Sequence, residues 1–266
     1  MMQITPTVKQ LLIINILFFL GTMVVPQAET YFALFPFQNN HFQFWQLLTH
    51  MFMHGGIFHI AFNMFALFSF GSALEHFWGP TKFIFFYISC GLGAAALQLG
   101  INYWELQHIL QGAADLQLSD ATLREVLNIP FSNFSSFIAG LEPILTEAGK
   151  ANLVNETNAV ALFHAADQTQ IPMVGASGAI YGLLVAFAFM FPNAELALLF
   201  IPVPIKAKYF VPGLIAIDLF LGFKGQSFFG SGGTGIAHFA HVGGALIGFI
   251  MMWYWKKNQF RGNRWN

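Results

Sequence analysis

The sequence predicts an all-α, polytopic membrane protein: a bundle of six transmembrane helices. Three observations carry this. Hydrophobic residues make up 56% of the 266-residue chain and charged residues only 9%, whereas an average soluble domain is about a quarter charged. So few charges cannot cover a water-facing surface, and much of the apolar area must face lipid. Six apolar runs, extended by aromatic flanks, approach the ~20 residues that a membrane-crossing helix needs. Alternation of the kind found in barrel strands is absent, and backbone groups in lipid must be paired within their own segment, so the runs are expected as helices.

The runs lie at about 10–26, 56–77, 82–102, 175–193, 208–223 and 237–255. The first follows Lys9 and resembles a secretory signal over Leu11–Val25, but it reads as a retained first helix. Six crossings put both termini on one side. Lys9, Lys82, Lys206, Lys208, Lys256, Lys257, Arg261 and Arg264 share that side, against Arg124, Lys150 and Lys224 on the other. The positive-inside rule then predicts cytoplasmic termini, and the compact six-helix core points to a bacterial inner membrane. Trp253, Tyr254 and Trp255 beside Lys256 and Lys257 read as an interfacial anchor.

Residues 1–266 are expected to form one membrane domain, with 103–170 as an extracytoplasmic insertion between the third and fourth spans. That segment holds eight acids and two bases and is too long for a plain connector. Thr122–Glu125 fits a capping box and Leu141–Ala148 has amphipathic spacing, so a small helical elaboration at the outer interface is expected. No basic face for nucleic acid is present. A single cysteine, Cys90, excludes an intrachain disulfide and a multi-cysteine metal site. Its apolar surroundings make packing its expected role.

Polar residues inside spans are costly and point to function. Three groups stand out. His59 and Asn63 lie four apart near the outer end of the second span, on one helix face. Gly175-Ala-Ser177-Gly178 opens the fourth span, with Tyr181 one turn below the serine and Gly178 and Gly182 forming a G-x-x-x-G pair. His241 lies about one turn into the sixth span, and Gly244 and Gly248 form a second close-packing face. Topology thus sets all three groups at similar depth on the outer side. A histidine that takes the proton of a serine hydroxyl makes it nucleophilic. The resulting oxyanion needs donors, which His59, Asn63 and the Ser177 backbone N–H can supply.

Each residue also has an ordinary reading. Ser177 alone reads as a packing serine between helices; the company of His241 and the His59/Asn63 pair favours catalysis. His238, three residues before His241, reads as a solvated or loop-contact residue. His50 and His54 precede the second span in looser spacing than a zinc-protease motif needs, so hydrogen bonding within the outer loop is expected rather than a metal. Asp218, in the fifth span, is a candidate to complete a triad, with a structural role the favoured reading, and Glu75, at the inner end of the second span, reads as a structural acid.

At these residues the sequence resembles the rhomboid family of intramembrane serine proteases. The pair His59-x-x-x-Asn63, the motif Gly175-x-Ser177-Gly178 and the motif Ala240-His241-x-x-Gly244 fall in this order on spans two, four and six. The resemblance implies a six-helix rhomboid-like bundle with a water-filled cavity open to the outside. It implies a serine endopeptidase that cleaves transmembrane proteins near their outer ends, by preference after a small residue. Ser177 would be the nucleophile and His241 the general base, with no third acidic member. His59 and Asn63 would line the oxyanion hole, and Tyr181 would pack on the His241 ring. No cofactor and no metal are implied. One departure is Gln46 after Trp45, where many members carry arginine, which puts that residue's contacts within its loop in question. Two other readings compete: a non-catalytic relative that binds transmembrane helices, and a transporter using histidines, disfavoured because the polar residues lie near the outer surface rather than at midplane.

Overall fold

The computed structural model describes residues 3–198, 201–224 and 236–259. Uninterrupted apolar runs become helices, and among the described residues six principal helices form: Pro6–Val24, Ile57–Trp78, Pro80–Leu110, Ser177–Met190, Ala207–Lys224 and Ile236–Gln259. The protein is an all-α polytopic membrane bundle. The first three helices are long and apolar enough to cross a membrane, and Ser177–Met190 is a shorter apolar helix. Leu17, Phe65, Phe85, Phe223 and Trp253 are exposed on their outer surfaces, an apolar coat that suits lipid and not water. Arg261 and Arg264 of the charge pattern lie outside the described residues.

The third helix runs to Leu110, eight residues past its expected end at 102. Nothing in Tyr103–Leu110 breaks a helix, and Leu106 is buried against the insertion. At 1.5 Å per residue its 31 residues span about 46 Å, well beyond the ~30 Å hydrocarbon core. A π-helical turn at Leu67–Gly71 interrupts the second helix. Between the fourth and fifth helices the chain makes an antiparallel hairpin, Glu195–Leu198 with Ile201–Lys206, which helical periodicity did not reveal.

Small residues decide how the helices cross. A methyl group on Gly244 would lie 1.8 Å from the Gly178 carbonyl oxygen, and one on Gly248 would lie 2.8 Å from the Gly182 Cα. The fourth and sixth helices therefore meet backbone to backbone, where only hydrogen fits. The third helix closes on the same crossing. Ala94 faces Gly178, and the buried Cys90 sulfur faces Gly182. Glu75 ties the second helix to the first: its carboxylate accepts from the Thr7 and Val8 backbone N–H groups at 2.9 Å each and from the Thr5 hydroxyl. It thereby satisfies orphan donors that the Thr5 side chain leaves uncapped.

The insertion contains the helices Asp120–Leu127, Phe134–Glu147 and Glu156–Gln170. The expected capping box at Thr122 is corrected: Ser119 is the N-cap, accepting from the Thr122 N–H at 3.1 Å. A cap needs extended backbone, which Ser119 has at φ −67°, ψ 157°, whereas Thr122 is already helical. Phe137, Leu141 and Leu145, spaced four apart, bury one stripe of the second of these helices against Leu116, Val126 and Leu162. The insertion thus has a core of its own.

Candidate active site

Ser177 is the first helical residue of the Ser177–Met190 helix, so its backbone N–H is free of an intrahelical partner. The approach to it is held on both sides. Leu34 and Met173 exchange backbone hydrogen bonds at 3.0 and 2.8 Å, and the Gly175 N–H donates to the His50 carbonyl at 2.9 Å. Gly175 adopts φ +122°, a conformation that side chains rarely take. A methyl group there would lie 2.8 Å from His59 Nε2 and 3.6 Å from Ser177 Oγ. The glycine lets the His59 ring come down beside the serine.

His241 Nε2 is 2.8 Å from Ser177 Oγ, within the reach that proton abstraction needs. The glycine crossing of the fourth and sixth helices sets this distance. Tyr181 stacks on the His241 ring at 4.2 Å with 10° between planes. Ser177, His59 and His241 are each partly exposed, while Gly175, Gly178 and Asn63 are buried. The Asn63 amide donates to the His59 carbonyl at 3.0 Å, which leaves its second N–H uncommitted by that bond. His59 Nδ1 is 3.4 Å from the Gly55 N–H, a long contact whose sense makes Nδ1 the acceptor and Nε2 the bearer of the proton.

One reading is corrected here. His238 is not a solvated residue: it is buried, and its Nδ1 lies 2.5 Å from Asp218 Oδ1. Asp218, whose two readings were a structural acid and a triad member, lies beside the site. Its Oδ1 also lies 3.3 Å from His241 Nδ1, and its other oxygen accepts from the Tyr181 hydroxyl. The resemblance implied a pair without an acid; an acid stands behind the pair. The only signal in the sequence was a carboxylate within an apolar helix, and its partners lie on two other helices.

Asp218, His238 and His241 each offer a ligand atom within 4.8 Å of the others, the sole such group among the described residues. Tetrahedral zinc separates its ligands by about 3.3 Å. His238 Nδ1 and Asp218 Oδ1 stand at hydrogen-bond distance, closer than that.

The loop before the second helix buttresses the site. Gln46 is fully buried; its amide donates to the His41 carbonyl at 2.8 Å and the Thr30 carbonyl at 3.2 Å, and its oxygen accepts from the Gln43 and Phe35 N–H groups. The residue that departs from arginine therefore knits its loop together through neutral bonds. His50 Nδ1 bonds the Gln46 carbonyl at 2.9 Å, and burial pushes the imidazole down to about 4. His54 packs edge-on against His59 at 5.0 Å between ring centres, and burial pushes it down to about 3.

The rhomboid domain model matches residues 41–114 and 153–258, more than half of the chain. The chain belongs to the rhomboid family. The gap in the match falls on the middle of the insertion. Members of this family are usually intramembrane serine proteases, acting on membrane proteins within the bilayer. The chain is similar to the mouse presenilin-associated rhomboid-like protein, mitochondrial, at 26% identity over 78% of this chain and 36% of that protein. It is similar to the Arabidopsis thaliana RHOMBOID-like protein 12, mitochondrial, at 24% identity over 81% of this chain and 47% of that protein. A shorter stretch of 50 residues is 42% identical to the rhomboid protease GluP of Bacillus subtilis, covering 19% of this chain and 10% of that one. The chain thus spans less than half the length of these relatives.

Proposed function

We propose that this protein is an intramembrane serine endopeptidase that cleaves transmembrane segments near their outer ends. The observation that carries the reading is the 2.8 Å contact of His241 Nε2 with Ser177 Oγ, beside an imidazole seated over Gly175. In the first step His241 takes the hydroxyl proton while Oγ attacks the scissile carbonyl carbon. The oxyanion receives hydrogen bonds from the Ser177 backbone N–H, His59 Nε2–H and the Asn63 amide. His241 then gives its proton to the leaving amine, and water cleaves the acyl-enzyme by the same steps in reverse.

The substrates are membrane proteins whose helices unwind near a small residue. The base-rich side of the bundle, with both termini, faces the cytoplasm, and the insertion at 103–170 stands outside. Relatives come from mitochondria and from a bacterium; the bacterial inner membrane remains the compartment of this reading. Neither metal nor cofactor takes part.

The test is cleavage of a single-span reporter, carrying a small residue and a helix-breaking residue near its outer end, in reconstituted vesicles. Wild-type protein yields two fragments with the cut in the outer third of the span. Ser177→Ala and His241→Ala yield none. Cleavage by the purified Ser177→Ala protein overturns the assignment.

A further inference from the structure

We infer that Asp218 is a positioning residue that orients His241 as the base for Ser177 and stabilises its imidazolium; this rests on the protease reading above. The carboxylate sits within the fifth principal helix, where an uncompensated charge is expensive. It is compensated by groups that can all donate. Tyr181 Oη–H reaches Oδ2, and the Nδ1 atoms of His238 and His241 both approach Oδ1, at 2.5 and 3.3 Å. An ionised carboxylate only accepts hydrogen bonds. Both Nδ1 atoms must then carry hydrogens.

For His241 this fixes the tautomer. With the proton on Nδ1, Nε2 presents its lone pair, and the 2.8 Å contact to Ser177 Oγ has the serine as donor. That is the arrangement a general base requires. After proton transfer the imidazolium keeps its Nδ1–H on Asp218, which stabilises the new positive charge without itself taking the proton. The 3.3 Å separation has room to shorten as that charge develops, and catalytic hydrogen bonds are often long before substrate binds.

Two further contacts make the acid an effective guide. Tyr181 holds the His241 ring by its face at 4.2 Å while its hydroxyl anchors Oδ2. His238 holds Oδ1 from the other side. The carboxylate therefore cannot rotate away from His241 without losing both bonds. Four residues from three helices, Tyr181, Asp218, His238 and His241, thus fix one ring in one orientation.

The experiment compares wild type, Asp218→Asn, Asp218→Glu and Ser177→Ala for reporter cleavage in vesicles, with thermal unfolding followed alongside. Asparagine matches the shape but brings an amide whose N–H groups favour the opposite tautomer. Asp218→Asn should lower kcat by about 100- to 10,000-fold with KM within threefold and unfolding temperature close to wild type. Asp218→Glu, which restores an acceptor-only group, should recover part of the loss. A kcat for folded Asp218→Asn within threefold of wild type overturns the inference alone, as does a loss that merely follows the unfolded fraction. Wild type no more active than Ser177→Ala removes the protease reading, and the inference with it.

Discussion

Gly175 carries more of the site than its size implies. Its φ of +122° and the 2.8 Å approach of His59 Nε2 are both incompatible with a side chain. Gly175→Ala should cost roughly 1–3 kcal/mol of stability and displace His59, lowering cleavage at least tenfold while Ser177 and His241 remain in the chain. Thermal unfolding and reporter cleavage measured on the same preparation check this. His50 and His54 make a second residue-scale prediction. Burial holds both imidazoles below the ordinary 6.5, to about 4 and about 3. As pH falls through 6.5 the unfolded chain takes up protons that the folded loop refuses, so folding loses stability from about pH 6.5 down to about 3, the His50 share ending near 4. The unfolding temperature of wild type should drop across that window, and drop less in His50→Gln; an equal drop in both contradicts the assignment. At this scale the candidates Ser177, His241, His59 and Asn63 stand out in the sequence by their matching depth in the spans and by the family motifs. Asp218 stands out as an acid within an apolar helix, but its partners do not, because a contact between residues 23 apart on separate helices depends on a crossing angle that no local pattern encodes.

The helices owe their arrangement to a few small residues and one acid. At the crossing of the fourth and sixth principal helices, a methyl on Gly244 meets a carbonyl oxygen at 1.8 Å. No side-chain rotation relieves a backbone clash. Gly244→Ala should therefore push the helices apart, cost about 1–3 kcal/mol or more, and lengthen the Ser177–His241 contact. Reduced thermal stability together with lost cleavage is the expected result. At the other end of the bundle, Glu75 caps the first helix from a distance. Glu75→Ala should cost on the order of 0.5–2 kcal/mol, the usual value of a lost cap, with cleavage by the folded fraction unchanged. The existence of these helices was readable from apolar length alone. Their ends were harder. The third helix outran its apolar run because Leu106 finds a partner in the insertion, and the cap at Ser119 was displaced to Thr122 by a pattern that two starts can satisfy.

Across the whole molecule, a lipid-facing bundle carries a separately packed elaboration. Phe137 is fully buried in the insertion's own cluster. Phe137→Ala should cost about 3–5 kcal/mol locally, seen as faster proteolysis between residues 115 and 152, while the bundle keeps its unfolding temperature. The composition made the membrane class plain, and the order of polar groups on spans two, four and six made the family resemblance plain. What the insertion packs against was not legible, since its stripe of Phe137, Leu141 and Leu145 fits any apolar partner.

An activated serine at position 177 is what the proposed chemistry requires above all. Its most direct measurement is labelling of the purified, folded protein by a fluorophosphonate probe, beside Ser177→Ala and His241→Ala. Wild type should take a label, located to Ser177, and neither variant should take one. A folded wild-type protein that takes no label, or an equal label on Ser177→Ala, would contradict the proposed chemistry.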